Sequence, residues 1–291
     1  MADKGLLRAL VRSFYDAQKL RVEAGNRLVA NVRVRLGQEP GAKTEEMPEE
    51  GQKLLKELVL EYKRLTDSLT SKSNRAKVKA VEANKNGVIL TAFEYELVGH
   101  YTRLLENEEE LGKGIAYMVA EFPIWKEFLK DVKGVGPTMA AIIISELDPH
   151  KARHASSFWK YSGLDVAEDG RGRSRRSEHL VDVTYTDKSG KEQTRKSITF
   201  NPFLKTKLIG VLGSSFLRAA SPYKLIYSGY KNRLENHAVY KDVSKGHRHN
   251  MAMRYMVKMF LVDLYVKWRE LEGLPVTPPY AEAKLGLKHG A

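Results

Sequence analysis

Apolar residues recur at three- and four-residue spacing along most of this chain, a period that predicts helices. Leu6, Leu7, Leu10, Val11, Phe14, Leu20, Leu28, Val32 and Leu36 place one or two amphipathic helices in residues 3–36, closed by Gly37-Gln-Glu-Pro-Gly41. Four glutamates and a proline between Glu45 and Glu50 predict a surface linker. A helix over 49–69 follows, with Leu54, Leu55, Leu58, Tyr62, Leu65 and Leu69 on one face. Residues 71–86 are basic and polar, with Lys72, Arg75, Lys77, Lys79 and Lys85, and give no readable packing face. The helical pattern resumes from Thr91 to Lys130 and is interrupted at Pro123, which fits an antiparallel or coiled-coil-like arm ending in a helix over 124–130. Nothing in residues 1–130 alternates like a strand, so this half reads as all-α.

The segment from Phe128 to Leu147 has the form helix, Gly134-Val135-Gly136, helix. Two glycines around a buried apolar residue permit a tight turn that brings backbone amides to the surface. Pro137 suits the first helical turn, where its missing N–H costs nothing, and Ala140 lets the two helices approach. The helix start then presents free amides and a positive dipole end beside the turn, with Lys130, Lys133 and Thr138 nearby, an arrangement suited to a phosphate oxygen. This is the helix-hairpin-helix pattern, which grips a nucleic-acid backbone without reading its sequence.

Beyond the aromatic stretch Phe158–Leu164, residues 179–186 and 192–199 flank Asp187-Lys-Ser-Gly-Lys191 and predict a single β-hairpin. Phe203, Leu204, Leu208, Val211, Leu212, Phe216 and Leu217 predict another helix. Ser221-Pro222 is expected to cap the next one, on which Tyr223, Tyr227 and Tyr230 alternate with Lys224, Lys231 and Arg233; their helical spacing favours core packing over base stacking. Gly246-His-Arg-His-Asn250 then precedes a long apolar helix. The fold class is therefore mostly α: a helical arm and a helix-hairpin-helix-containing helical domain with one small β-hairpin insert. The expected organisation is an N-terminal helical region (1–90), the arm (91–130), the hairpin-bearing domain (131–275) and a tail (276–291).

Composition narrows the chemistry. With 291 residues and 42% hydrophobic content the chain can bury a real core. The absence of cysteine excludes disulfides, thiolate zinc sites, iron–sulfur clusters and cysteine nucleophiles. There is no apolar run long enough for a membrane span and no signal-peptide pattern at Met1-Ala-Asp-Lys-Gly5, so a soluble cytoplasmic protein is expected, with no membrane partner. Net charge is +13, and residues 171–258 hold 19 basic and 6 acidic side chains, leaving 30 of each elsewhere. A surplus gathered in one segment points to a polyanion-binding face. Its densest part is Gly170-Arg-Gly-Arg-Ser-Arg-Arg-Ser177, where Arg171, Arg173, Arg175 and Arg176 make a mobile cationic loop able to follow a phosphate backbone, with Arg254 and Lys258 extending the face. Ser174 and Ser177 lie among these arginines, a setting in which a hydroxyl can attack a phosphodiester while guanidiniums stabilise the developing charge; more often, such a serine is only a polar loop residue. His247 and His249 are two residues apart and lack a nearby carboxylate, so no metal site is expected there.

Lys130-Asp-Val-Lys-Gly-Val-Gly-Pro-Thr-Met-Ala-Ala141, followed by Phe158-Trp-Lys-Tyr-Ser-Gly-Leu164, resembles the C-terminal domain of the insertion-sequence 110/116/902 transposase family. The likeness extends over residues 91–270, including the stretch 201–217 and the helix 252–264. It implies a domain that binds DNA and supplies a serine nucleophile, working with a RuvC-like acidic domain and, in some branches, a guide RNA. By position, the serine falls in the loop after Leu164, with Ser174 the first candidate and Ser177 the second. The family begins with a strand bearing an acidic metal ligand, whereas residues 1–90 here read as helices. No cofactor is identified, and magnesium enters only if a partner supplies acidic ligands. The expectation is a protein that binds duplex or branched DNA, acting in recombination, transposition or mobile-element DNA handling, with homo-oligomerisation through the arm. Two alternatives are an active serine-dependent transposase or recombinase, and an RNA-binding ribonucleoprotein component.

Overall fold

The structure, a computed structural model, describes residues 3–38 and 49–278. The expected linker before Glu49 and the tail beyond 278 lie outside these residues, as does part of the turn through Gly41. The helices are α1 (Lys4–Arg35), α2 (Glu49–Ser68), α3 (Asn74–Ala83), α4 (Ala92–Val119), α5 (Pro123–Glu127), α6 (Pro137–Glu146) and α7 (Ala155–Tyr161). A hairpin of β1 (Val181–Thr186) and β2 (Glu192–Ser197) follows, then α8 (Pro202–Thr206), α9 (Ser214–Arg218), α10 (Tyr223–Glu235) and α11 (Lys245–Leu271). The fold is mostly α with a small antiparallel β insert, as the periodicity predicts.

The chain divides into two compact units, residues 9–114 and residues 1–8 with 115–291. In the first, the apolar face of α2 packs through Leu58, Tyr62 and Leu65 onto Leu28 and Val32 of α1, Val81 of α3 and Tyr95 and Val98 of α4. The basic segment after residue 70 contributes α3, whose single buried residue, Val81, explains why no face was readable. Ser73 caps α3 by accepting the Ala76 N–H. Buried Glu61 accepts the Ile89 N–H at 2.7 Å and so fixes the turn into α4.

The second unit is built around α6 and α11. The uninterrupted apolar run over residues 139–144 of α6 is wholly buried, and Ser145 and Glu146 are buried after it. Tyr265 and Trp268 of α11 pack against Phe158, and Phe260 against Phe216, each such side chain contributing about 1.5–3 kcal/mol through its buried surface. The buried Arg269 donates to the carbonyls of Pro149 and Ala152, both at 2.7 Å, and ties the loop after α6 to α11.

The predicted helix through Phe203–Leu217 runs unbroken over 202–218, with its middle, Lys207–Gly213, wound as a π-helical turn between α8 and α9. Two local expectations change. Among the described residues the buried Ser221 hydroxyl has no hydrogen-bond partner, and it does not cap α10, which starts at Tyr223. Residues 246–250 lie inside α11 rather than before it, because Ser244 caps that helix by accepting the His247 N–H at 3.3 Å.

Candidate nucleic-acid interface and serine loop

At the Gly134-Val135-Gly136 turn, Gly134 has φ +99°, and a Cβ there would lie 2.9 Å from the Phe216 ring. Its carbonyl accepts the Ser215 hydroxyl at 2.8 Å, and Val135 is buried, so this side of the turn is pinned to α9. Lys130, Lys133 and Gly136 are exposed and Thr138 is half-buried. Gly136 caps α6 with open space around its Cα, and Pro137 occupies the first turn. The outer side of the turn therefore offers helix-start amides, with two exposed lysines on the segment before it.

The loop after Leu164 is more ordered than its arginine and glycine content suggests. Val166 and Gly172 form an isolated antiparallel bridge, the Arg171 carbonyl accepts the Ala167 N–H at 2.7 Å, and Gly170 turns the chain at φ +74°. Arg173 points inward: its Nε and a terminal nitrogen donate to Asp165 Oδ2 at 3.1 and 2.8 Å. Of the four arginines expected to follow a phosphate backbone, Arg171, Arg175 and Arg176 are exposed, while Arg173 holds the loop together.

That path brings three side chains spaced five residues apart into one chain of hydrogen bonds. Ser174 Oγ lies 2.9 Å from His179 Nδ1, and His179 Nε2 lies 3.1 Å from Asp169 Oδ2. Nδ1 also accepts the Ser174 backbone N–H at 3.0 Å, which requires an unprotonated Nδ1 and leaves Nε2–H to donate to Asp169. The Arg176 N–H donates to Ser174 Oγ at 3.3 Å, so the hydroxyl proton points to the imidazole. His179 is buried, Ser174 half-buried, and the Asp169 carboxyl is held below its ordinary range by the Arg171 backbone N–H and then by His179. Ser177 is exposed, and its hydroxyl bonds the neighbouring Glu178 carboxylate. Asp169, Arg171, Arg176, Ser177 and Glu178 line an open cavity of about 550 Å³.

A half-buried group of cations borders the same loop. Lys205 of α8 donates to the Arg173 carbonyl, one peptide from Ser174. The Arg254 guanidinium of α11 lies against Gly172, where a Cβ would collide with it. Lys258 sits over the Trp159 ring at 4.9 Å, and the indole N–H donates to the Lys258 carbonyl at 3.1 Å. Burial, with the charge of Arg254, lowers the Lys205 pKa to about 8 despite Asp165. Burial lowers Arg254 and Lys258 too, against the pull of Asp165. Among the described residues the buried Asp165 Oδ1 has no hydrogen-bond partner.

Sequence reasoning named Ser174, Arg173, Arg254 and Lys258 but not Asp169, His179, Lys205 or Trp159. The regular Asp-x4-Ser-x4-His spacing around Gly170 was the available signal for the first two. Among the described residues no group of three or more His, Asp or Glu side chains is placed to hold a metal ion, and no helix is long and apolar enough to cross a membrane. No curated protein and no solved structure matches the chain. Residues 126–200, which contain the glycine turn, the Ser174 loop and the β-hairpin, match the model of the transposase IS116/IS110/IS902 family, consistent with a C-terminal domain of that family.

Proposed function

We propose that this protein binds DNA through the cationic surface around the serine loop and the glycine turn, and acts in recombination or mobile-element DNA handling. The observation that carries the reading is the trio Lys205, Arg254 and Lys258, held half-buried near the Asp165 carboxylate that Arg173 already engages, within and beside the transposase-family segment. Desolvated positive charge in such excess is unfavourable until an anion enters, and a backbone phosphate supplies that anion. Lys130, Lys133, Gly136 and Thr138 offer a second phosphate position, with Gly134 and Val135 shaping the turn beneath it. Arg171, Arg175 and Arg176 add exposed contacts.

The test is the salt dependence of affinity for duplex and four-way-junction DNA. Replacing Arg171, Arg175 and Arg176 by Gln together should lower the slope of log K against log salt by about 0.9 per lost contact. Arg173 is left intact because its bond to Asp165 organises the loop. An unchanged slope, or equal competition by RNA, would count against the reading. The Ser174–His179 hydrogen bond favours a second reading, in which the domain is catalytic and Ser174 is the nucleophile on a DNA phosphodiester. Retention of labelled DNA on the denatured wild-type chain, lost in Ser174→Ala and kept in Ser177→Ala, tests it.

A further inference from the structure

We propose that His179 is the general base that activates Ser174, with Asp169 as its positioning residue, so that the groups that take up the serine proton lie within residues 169–179. The proposal rests on the reading of Ser174 as a nucleophile and adds how its proton is removed.

A serine hydroxyl is a weak nucleophile until a base takes its proton. The acceptor here is fixed: Nδ1 receives the Ser174 hydroxyl at 2.9 Å, and its tautomer is set by the Ser174 backbone N–H on the same nitrogen. The other ring nitrogen faces the Asp169 carboxylate at 3.1 Å, which orients the ring and stabilises an imidazolium. The ring nitrogens are used in the reverse sense to the familiar Ser-His-Asp triad, with Nδ1 rather than Nε2 toward the serine; the roles are unchanged. The Ser177 hydroxyl bonds the Glu178 carboxylate instead of an imidazole.

The step balances. Ser174 Oγ forms a bond to phosphorus as the P–O bond to the departing nucleotide breaks. The hydroxyl proton passes to Nδ1 and then to the departing oxygen, leaving a phosphoserine diester and a free DNA hydroxyl. Arg171 and Arg176, on the adjoining cavity, are placed to offset charge on the nonbridging oxygens. The charged groups around His179 are Asp169 and Glu178 on its own loop, Arg171, Arg173 and Arg176 beside them, Lys205 from α8 on the Arg173 carbonyl, and Arg254 from α11 against Gly172.

An alkyl fluorophosphonate tests the activation without DNA or any partner chain: Oγ displaces fluoride from phosphorus and the proton leaves through Nδ1. Intact-mass analysis and peptide mapping of the full-length protein should find one adduct, on Ser174. The rate should fall about tenfold per pH unit on the acid side of a single titration, as expected for a base that must be unprotonated. His179→Gln should slow labelling about a hundredfold and Asp169→Asn by a smaller factor. No adduct, an adduct on Ser177, a flat pH profile, or an undiminished rate in His179→Gln would each overturn the proposal. Should His179→Gln lose its helical circular dichroism, the wild-type pH profile and Asp169→Asn decide the matter. DNA binding by the same wild-type preparation separates the two ideas. Binding without labelling refutes the activated serine, and labelling without binding supports it while refuting the DNA reading.

Discussion

Lys205 shows how one residue couples stability to binding. Burial and Arg254 hold its pKa at about 8, below the ordinary value of 10.5. Between those values the unfolded chain binds the proton more tightly than the folded one, so stability from this group rises as pH climbs from about 8 toward 10.5. DNA affinity should run the other way, because the folded protein loses the ammonium that meets phosphate as pH rises through about 8. Fluorescence anisotropy with labelled duplex at constant salt should weaken from pH 7 to pH 9 in the wild type. Lys205→Arg should show a smaller fall, since a guanidinium stays charged. An identical fall in both would separate Lys205 from the interface. Gly134 makes a purely structural case: Gly134→Ala demands φ +99° of an L-residue and sets a Cβ against Phe216, so urea unfolding should show a loss of about 1–3 kcal/mol. Both residues sat inside recognisable sequence patterns, yet only Gly134 was assigned a reason there. The lowered Lys205 pKa depends in part on the charge of Arg254, 49 positions further on, and no local window carries that proximity.

Among the elements, those held by their own periodicity were legible and those held by tertiary contact were not. The apolar faces of α2, α6 and α11 follow directly from the spacing of their leucines, isoleucines and aromatics, and β1 and β2 from their β-branched content and the Asp187–Lys191 turn. The π-helical turn over Lys207–Gly213 was not legible. There Gly213 accommodates Met253 of α11 so closely that a Cβ would lie 2.5 Å from the methionine methyl, a constraint external to the segment. The serine loop divides the same way, since its arginines could be counted but the turn at Gly170 that carries Asp169 to His179 could not. The hairpin has a consequence of its own. Along β1 and β2 only Ser197 is less than exposed, so the strands bury little against the helices. Replacing residues 183–195 with a short Gly-Ser turn should leave the helical circular dichroism intact and shift Tm by only a few degrees. A large drop in Tm would mean that the hairpin supports the serine loop just before it.

For the molecule as a whole, charge and structure divide together. Residues 9–114 carry 18 basic and 17 acidic side chains, so nearly all of the +13 belongs to the other unit. The balanced unit uses its charges on itself: Arg35 pairs with Glu94 at 2.9 Å, Arg21 with Glu108, and Lys63 with Glu106 at 3.0 Å. It still has exposed cations, at Lys72, Arg75, Lys79 and Lys85, which a general preference for polyanions would recruit as readily as any others. A localised interface would not. Two full-length variants distinguish these cases, one with Lys72, Arg75, Lys79 and Lys85 changed to Gln, the other with Arg171, Arg175, Arg176 and Lys258 changed to Gln. Each removes four positive charges, so any effect of net charge alone is the same in both. The first should keep the wild-type salt slope for DNA binding, and the second should lower it by about 3 to 4. Equal losses would mean that the protein binds DNA through its overall charge and that the serine loop has no privileged access to the backbone.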